Sequence, residues 1–133
     1  MNQKGFATLE VIMMIVVIGI LATIAVPRFG DMTTKANTAK IQADLATLDN
    51  AIEIYFMENG SYPTDESITA LSDYVKDVDS LKPPIGKAYL LDGTDFSVSS
   101  GTEYKITTPT GESVKRATLD NKTLGKFGKK PST

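Results

Sequence analysis

The chain has 133 residues, with 14 Lys or Arg against 16 Asp or Glu, and contains no Cys, His or Trp. Disulfides, thiol nucleophiles, Cys/His zinc sites and histidine acid/base chemistry are thereby excluded. A formal charge of -2 gives no bulk attraction to nucleic acid or anionic lipid, and the length suits one modest domain plus an appendage.

The apolar residues crowd the front. From Val11 to Val26 only Thr23 is polar; extending back to Phe6 adds Thr8 and Glu10. The run is close to the roughly 20 residues that span a bilayer. It is too evenly apolar for the surface helix of a small domain. A secretory signal peptide and an uncleaved anchor are the plain alternatives. The signal peptide fits poorly, because Lys4 is the only charged lead-in and Pro27-Arg28 follows the run without a small-residue cleavage site.

Glu10 is the anomaly. A carboxylate at the centre of a membrane helix costs about 2.5–3.5 kcal/mol, and less near an end. It can serve as a first-turn acid facing the helix dipole. Alternatively it meets a cation. A cut between Gly5 and Phe6 would create an α-amino group at Phe6, one turn away on the same chain or on a neighbour. At ~4 Å and an effective dielectric of 20 such a pair has a Coulomb energy of about 4 kcal/mol.

Lys4-Gly5-Phe6-Ala7-Thr8-Leu9-Glu10, the apolar run and Pro27 together resemble the N-terminus of type IV pilins and type II secretion pseudopilins. The resemblance covers about the first 60 residues. It implies that a prepilin peptidase cuts after Gly5 and that Phe6 becomes a methylated N-terminus. It also implies that Glu10, then the fifth residue, pairs with the N-terminal amine of an adjacent subunit. Members often have Thr directly after the Phe; here Ala7 stands there and Thr8 follows. Gly19 and Pro27 weaken a helix by about 1 and ~3 kcal/mol. On residues alone they mark a kink, and the resemblance implies that the stretch between them loses helical order in a filament.

Between Arg28 and Asn59 no turn signal intervenes. Ile41, Leu45, Leu48, Ile52 and Tyr55 recur at steps of four and three, a narrow apolar stripe that should press on a sheet. Ala36, Ala39, Ala43, Ala46 and Ala51 keep the surroundings slim; Asp44, Asp49, Asn50 and Glu53 lie off the stripe. Asn59-Gly60 stops the helix, and Tyr62-Pro63 enforces an extended exit. Glu58 to Thr64 also resembles the segment that closes the long helix in many pilins and pseudopilins.

In the head, Thr64 or Asp65 is expected to cap a short helix bearing Ile68, Leu71 and Val75. After Lys82-Pro83-Pro84 come alternating segments at Ala88–Leu91, Phe96–Ser99, Tyr104–Thr108 and Ser113–Leu119, separated by Gly-containing turns. They predict a three- or four-stranded antiparallel meander covering the helix stripe. The tail from Asn121 is expected to be loose or a late edge strand. Asp77, Asp79, Asp92 and Asp95 match no calcium spacing, and no metal or cofactor is expected.

The predicted class is therefore α+β, with a leader at 1–5, a hydrophobic membrane or filament-core helix at 6–27, its amphipathic half at 28–59 and a head at 60–133. No phosphate loop or nucleophile elbow points to an enzyme. The resemblance implies a structural subunit of a type IV pilus-like filament, or alternatively the major pseudopilin of a type II secretion system or of a DNA-uptake pseudopilus. Its implied partners are further copies of itself, the prepilin peptidase, an assembly ATPase with its platform protein, and the cytoplasmic membrane. It would wait there as a single-pass protein before reaching the cell surface in a filament. DNA is a further partner that Lys126, Lys129 and Lys130 would hold.

Overall fold

The computed structural model describes residues 3–128. The chain forms two compact units, Met1–Thr33 and Thr34–Thr133. Helix α1 runs Gln3–Asn59, and all four strands lie in the second unit: β1 Gly86–Tyr89, β2 Asp95–Val98, β3 Tyr104–Thr107 and β4 Arg116–Leu119. The α+β class is as the sequence predicts.

In the second unit the predicted stripe forms the core. Ile41, Leu45, Leu48 and Ile52 are buried, together with Leu71, Ala88, Val98, Tyr104, Ile106, Ala117, Leu119 and Phe127, and Tyr55 packs against them half-buried. The helix stops where the Asn-Gly pair directs it. Gly60 adopts φ 70, its N–H donates to the Phe56 carbonyl at 2.8 Å, and the Asn59 side chain donates to the Tyr55 carbonyl at 3.0 Å. Tyr62 then stacks on Phe56 with centroids 4.5 Å apart, turning the chain back along the helix.

The predicted single meander is two separate antiparallel hairpins, β1 with β2 and β3 with β4. The reason is that helix and loop groups occupy the flanking backbone positions. Asn37 donates to the Lys87 carbonyl at 3.0 Å, and the Tyr89 N–H donates to the Thr38 hydroxyl at 2.8 Å. The Ile106 N–H donates to the Glu66 carbonyl at 2.7 Å, and the Ala117 N–H donates to Asp49 at 2.8 Å. Backbone groups satisfied in this way have no need of another strand. β1 also begins two residues earlier than expected, at Gly86, whose φ is +124 and where a Cβ would lie 3.1 Å from the Asn37 amide nitrogen.

One other local expectation is corrected and another is met in part. The short helix is a single 3₁₀ turn, Ile68–Leu71, capped by Ser67 rather than by Thr64 or Asp65. Asp65 instead accepts the Ser67 N–H at 3.0 Å, and Val75 lies beyond the turn. The tail is fixed through Gly128 and pairs as an edge in part, Phe127 bridging antiparallel to Leu90 with the Leu91 N–H donating to the Lys126 carbonyl at 3.0 Å. A 3₁₀ turn at Leu124–Lys126 delivers Phe127 into the core, edge-on to Phe96 at 5.7 Å, and Gln42 binds the Phe127 carbonyl at 2.9 Å. One large apolar side chain in a polar segment outweighs the composition around it. Lys129 and Lys130 lie outside the described residues.

Candidate assembly site

Among its described residues the first unit buries no core of its own. Each described large apolar side chain from Phe6 to Met32 is 52% to 69% exposed. By length and composition α1 can cross a membrane. A continuous apolar surface of this kind marks a membrane or protein contact. In lipid a helix is also the form that satisfies its own backbone.

Gly5, Phe6, Glu10, Gly19 and Pro27 all fall within α1. Phe6 and Glu10 are four residues apart, hence on one face and about 6 Å apart along the axis. Glu10 is exposed, and among the described residues it has no hydrogen bond or ion pair. The nearby Thr8 hydroxyl is turned to its own helix, donating to the Lys4 carbonyl at 2.9 Å. With α1 beginning at Gln3, its first turn contains no acid. The dipole reading therefore does not account for Glu10 in the uncut chain, because that effect fades within one turn.

A Cβ added at Gly5 or Gly19 would meet nothing within 4 Å. Neither glycine is demanded by packing inside the chain. Among the described residues their helix-weakening tendency has no compensating contact. The helix continues through both Gly19 and Pro27. Between them the Thr23 hydroxyl donates to the Ile20 carbonyl at 2.7 Å, while the Thr23 carbonyl faces the position where proline lacks an N–H.

The sequence reading missed the polar groups that lock the head to the second half of α1. Asp49 accepts from Arg116 Nε at 3.2 Å and Nη2 at 3.0 Å, as well as from the Ala117 N–H. This hydrogen bonding raises the Arg116 pKa above its ordinary value. Asp44 accepts the Tyr104 phenol at 2.6 Å and Lys40 at 2.6 Å. Lys40–Asp44 was visible as an i,i+4 pair, but partners 60 and more residues away leave no local signal. Asp49→Ala is expected to lower head stability by about 2–4 kcal/mol, with Asp49→Asn losing less because it keeps an acceptor for Ala117. Urea unfolding of the detergent-solubilised chain measures both.

Burial, then the bond to Asp44, holds the Tyr104 phenol well above the ordinary tyrosine range. The folded state therefore retains a proton that the unfolded chain releases near pH 10. Its stabilisation is complete below that pH and declines as pH rises further. Thermal melts between pH 9 and 11 are expected to show a falling midpoint, with a smaller fall in Tyr104→Phe.

The loop acids do not converge. Asp92 accepts from the Thr94 hydroxyl and N–H, which lower its pKa, Asp95 faces Lys87 at 3.8 Å, and Asp77 sits in a left-handed conformation. Among the described residues no cluster of three acids could hold a metal.

The family model of type II secretion system protein G matches residues 28–130. The core protein G of Dickeya chrysanthemi is 32% identical over 111 residues, 81% of this chain and 70% of that protein. The core protein G of Klebsiella pneumoniae is 39% identical over 65 residues, 49% of this chain and 46% of that protein. The type IV narrow pilus major component PilA5 of Thermus thermophilus is 41% identical over 70 residues, 53% of this chain and 60% of that protein. The chain spans about half the length of several of these relatives. No solved structure matches it. With a family model covering most of its length, and relatives among both secretion proteins and pilins, the chain belongs to the type II secretion protein G family of pilins and pseudopilins.

Proposed function

We propose that the chain is a structural subunit that polymerises through the N-terminal half of α1 into a type IV pilus-like filament. The observation that carries this is the contrast between the two units. The head closes its own core, whereas the described large apolar side chains of the N-terminal half of α1 are exposed. Lipid covers that surface before assembly, and the helices of other copies cover it afterwards. A contact that joins different surfaces of identical copies does not close, and so makes an open fibre.

In this reading prepilin peptidase cuts between Gly5 and Phe6, and Phe6 carries the methyl group. Glu10 then meets the new amine. Gly19 and Pro27 let the intervening helix yield when subunits pack. An assembly ATPase and its platform protein extract the subunit from the cytoplasmic membrane. Family membership favours a secretion pseudopilus, with this chain as its major subunit. A surface pilus is the second reading, supported by the likeness to the Thermus pilus component. A DNA-uptake filament has the weaker support of Lys126, which is exposed. Mass spectrometry of chains from sheared filaments tests the processing: the mature N-terminus is expected at Phe6 with one methyl group, and recovery of intact Met1 would overturn it.

A further inference from the structure

The turn at Leu119–Lys122 carries a pattern that filament assembly does not use. Asn121, Lys122 and Thr123 form Asn-x-Thr without a central proline. This is the acceptor pattern for an N-linked glycan: an amide to be glycosylated and a hydroxyl two residues on. So short a pattern arises readily by chance, and the chain contains a second, Asn59-Gly60-Ser61.

The structure separates the two. The Asn59 amide is tied down, donating to the Tyr55 carbonyl at 3.0 Å and to the Tyr74 hydroxyl at 3.3 Å. Asn121 is exposed at the tip of a two-residue reverse turn. Asp120 and Asn121 have φ 49 and 59, the left-handed pair that Asp and Asn tolerate best among residues with side chains. Reciprocal backbone bonds between Leu119 and Lys122, at 2.9 and 3.0 Å, hold the turn. Among the described residues neither the Asn121 amide nor the Thr123 hydroxyl has a hydrogen-bond partner; Thr123 opens the 3₁₀ turn without capping it. The middle side chain is drawn aside, with the Lys122 ammonium 4.7 Å from the Phe96 ring centroid and 3.2 Å from Asp120.

We propose that Asn121 is an N-glycosylation site and Asn59 is not. The donor class is an oligosaccharide joined to a polyprenyl pyrophosphate. The Asn121 amide nitrogen bonds to the anomeric carbon as the sugar–phosphate C–O bond breaks. The electron pair leaves on the pyrophosphate, and one amide proton passes to a base of the transferase. The inference rests on the proposed placement of the head outside the cytoplasmic membrane.

The test is glycopeptide mass spectrometry on the full chain from membranes of its source cells, with protease shaving of intact spheroplasts in parallel. A glycan mass increment is expected on the peptide holding Asn121, lost completely in Asn121→Gln and Thr123→Ala and kept in Thr123→Ser and Asn59→Gln. Recovery of that peptide solely at its unmodified mass, or an increment that survives Asn121→Gln, overturns the proposal. The shaving result then shows whether the outward placement of the head falls with it. Asn59 and Asn121 are exposed, Thr123 is half-buried, and none of them belongs to the core, so loss of the increment is not a folding effect.

Discussion

Filament yield from a Glu10→Ala chain is expected to fall by about two to three orders of magnitude, while the subunit stays in the membrane. The expectation follows from two magnitudes. A carboxylate and an amine at ~4 Å in a medium of effective dielectric 20 attract by about 4 kcal/mol, and each 1.4 kcal/mol is a factor of ten in an equilibrium constant. Part of the attraction offsets desolvation of the two charges, leaving the smaller factor. Among the described residues Glu10 has no partner, so its removal is expected to cost the isolated chain little and even to ease its residence in lipid. Glu10→Gln keeps the shape and removes the charge, and is expected to behave like alanine. Quantifying sheared filaments against membrane-resident subunit by immunoblot checks both variants. Equal filament yields from all three chains would count against the pairing.

Leu48→Ala is expected to have the largest effect on the head, about 3–5 kcal/mol, because Leu48 is fully buried where α1 meets the strands. A domain of this size has only about 5–15 kcal/mol in total, so the variant is expected to sit near the edge of folding. Chemical unfolding in detergent measures the shift in midpoint. Met57→Ala serves as a control: its side chain is 75% exposed, and the midpoint is expected to move little.

The long helix and its stripe were legible because their signals are local. An unbroken apolar run, then Ile41, Leu45, Leu48 and Ile52 at helical steps, then Asn59-Gly60, need nothing beyond their own neighbours to be read. Strand positions were legible within a few residues for the same reason. Strand association was not. Whether β1, β2, β3 and β4 form one sheet or two depends on what reaches their edges. Those groups, Asn37, Thr38, Asp49 and Glu66, lie up to 68 residues away in the chain. Asp44 and Asp49 looked like solvated acids because a helix flank looks the same with or without Tyr104 and Arg116 against it. Phe127 was hidden by the Lys, Gly and small polar residues around it. At the candidate assembly site a single carboxylate in an apolar run is a local signal, and Glu10 stands out because no side chain within the run carries a positive charge.

The most direct test of the account is side-chain density for the assembled filament around Phe6 and Glu10. The account predicts a free or methylated Phe6 amine within about 4 Å of a Glu10 carboxylate, the separation at which the pair offsets the cost of burying the acid. A Glu10 carboxylate facing water, or a Phe6 still joined to Gly5, would contradict it.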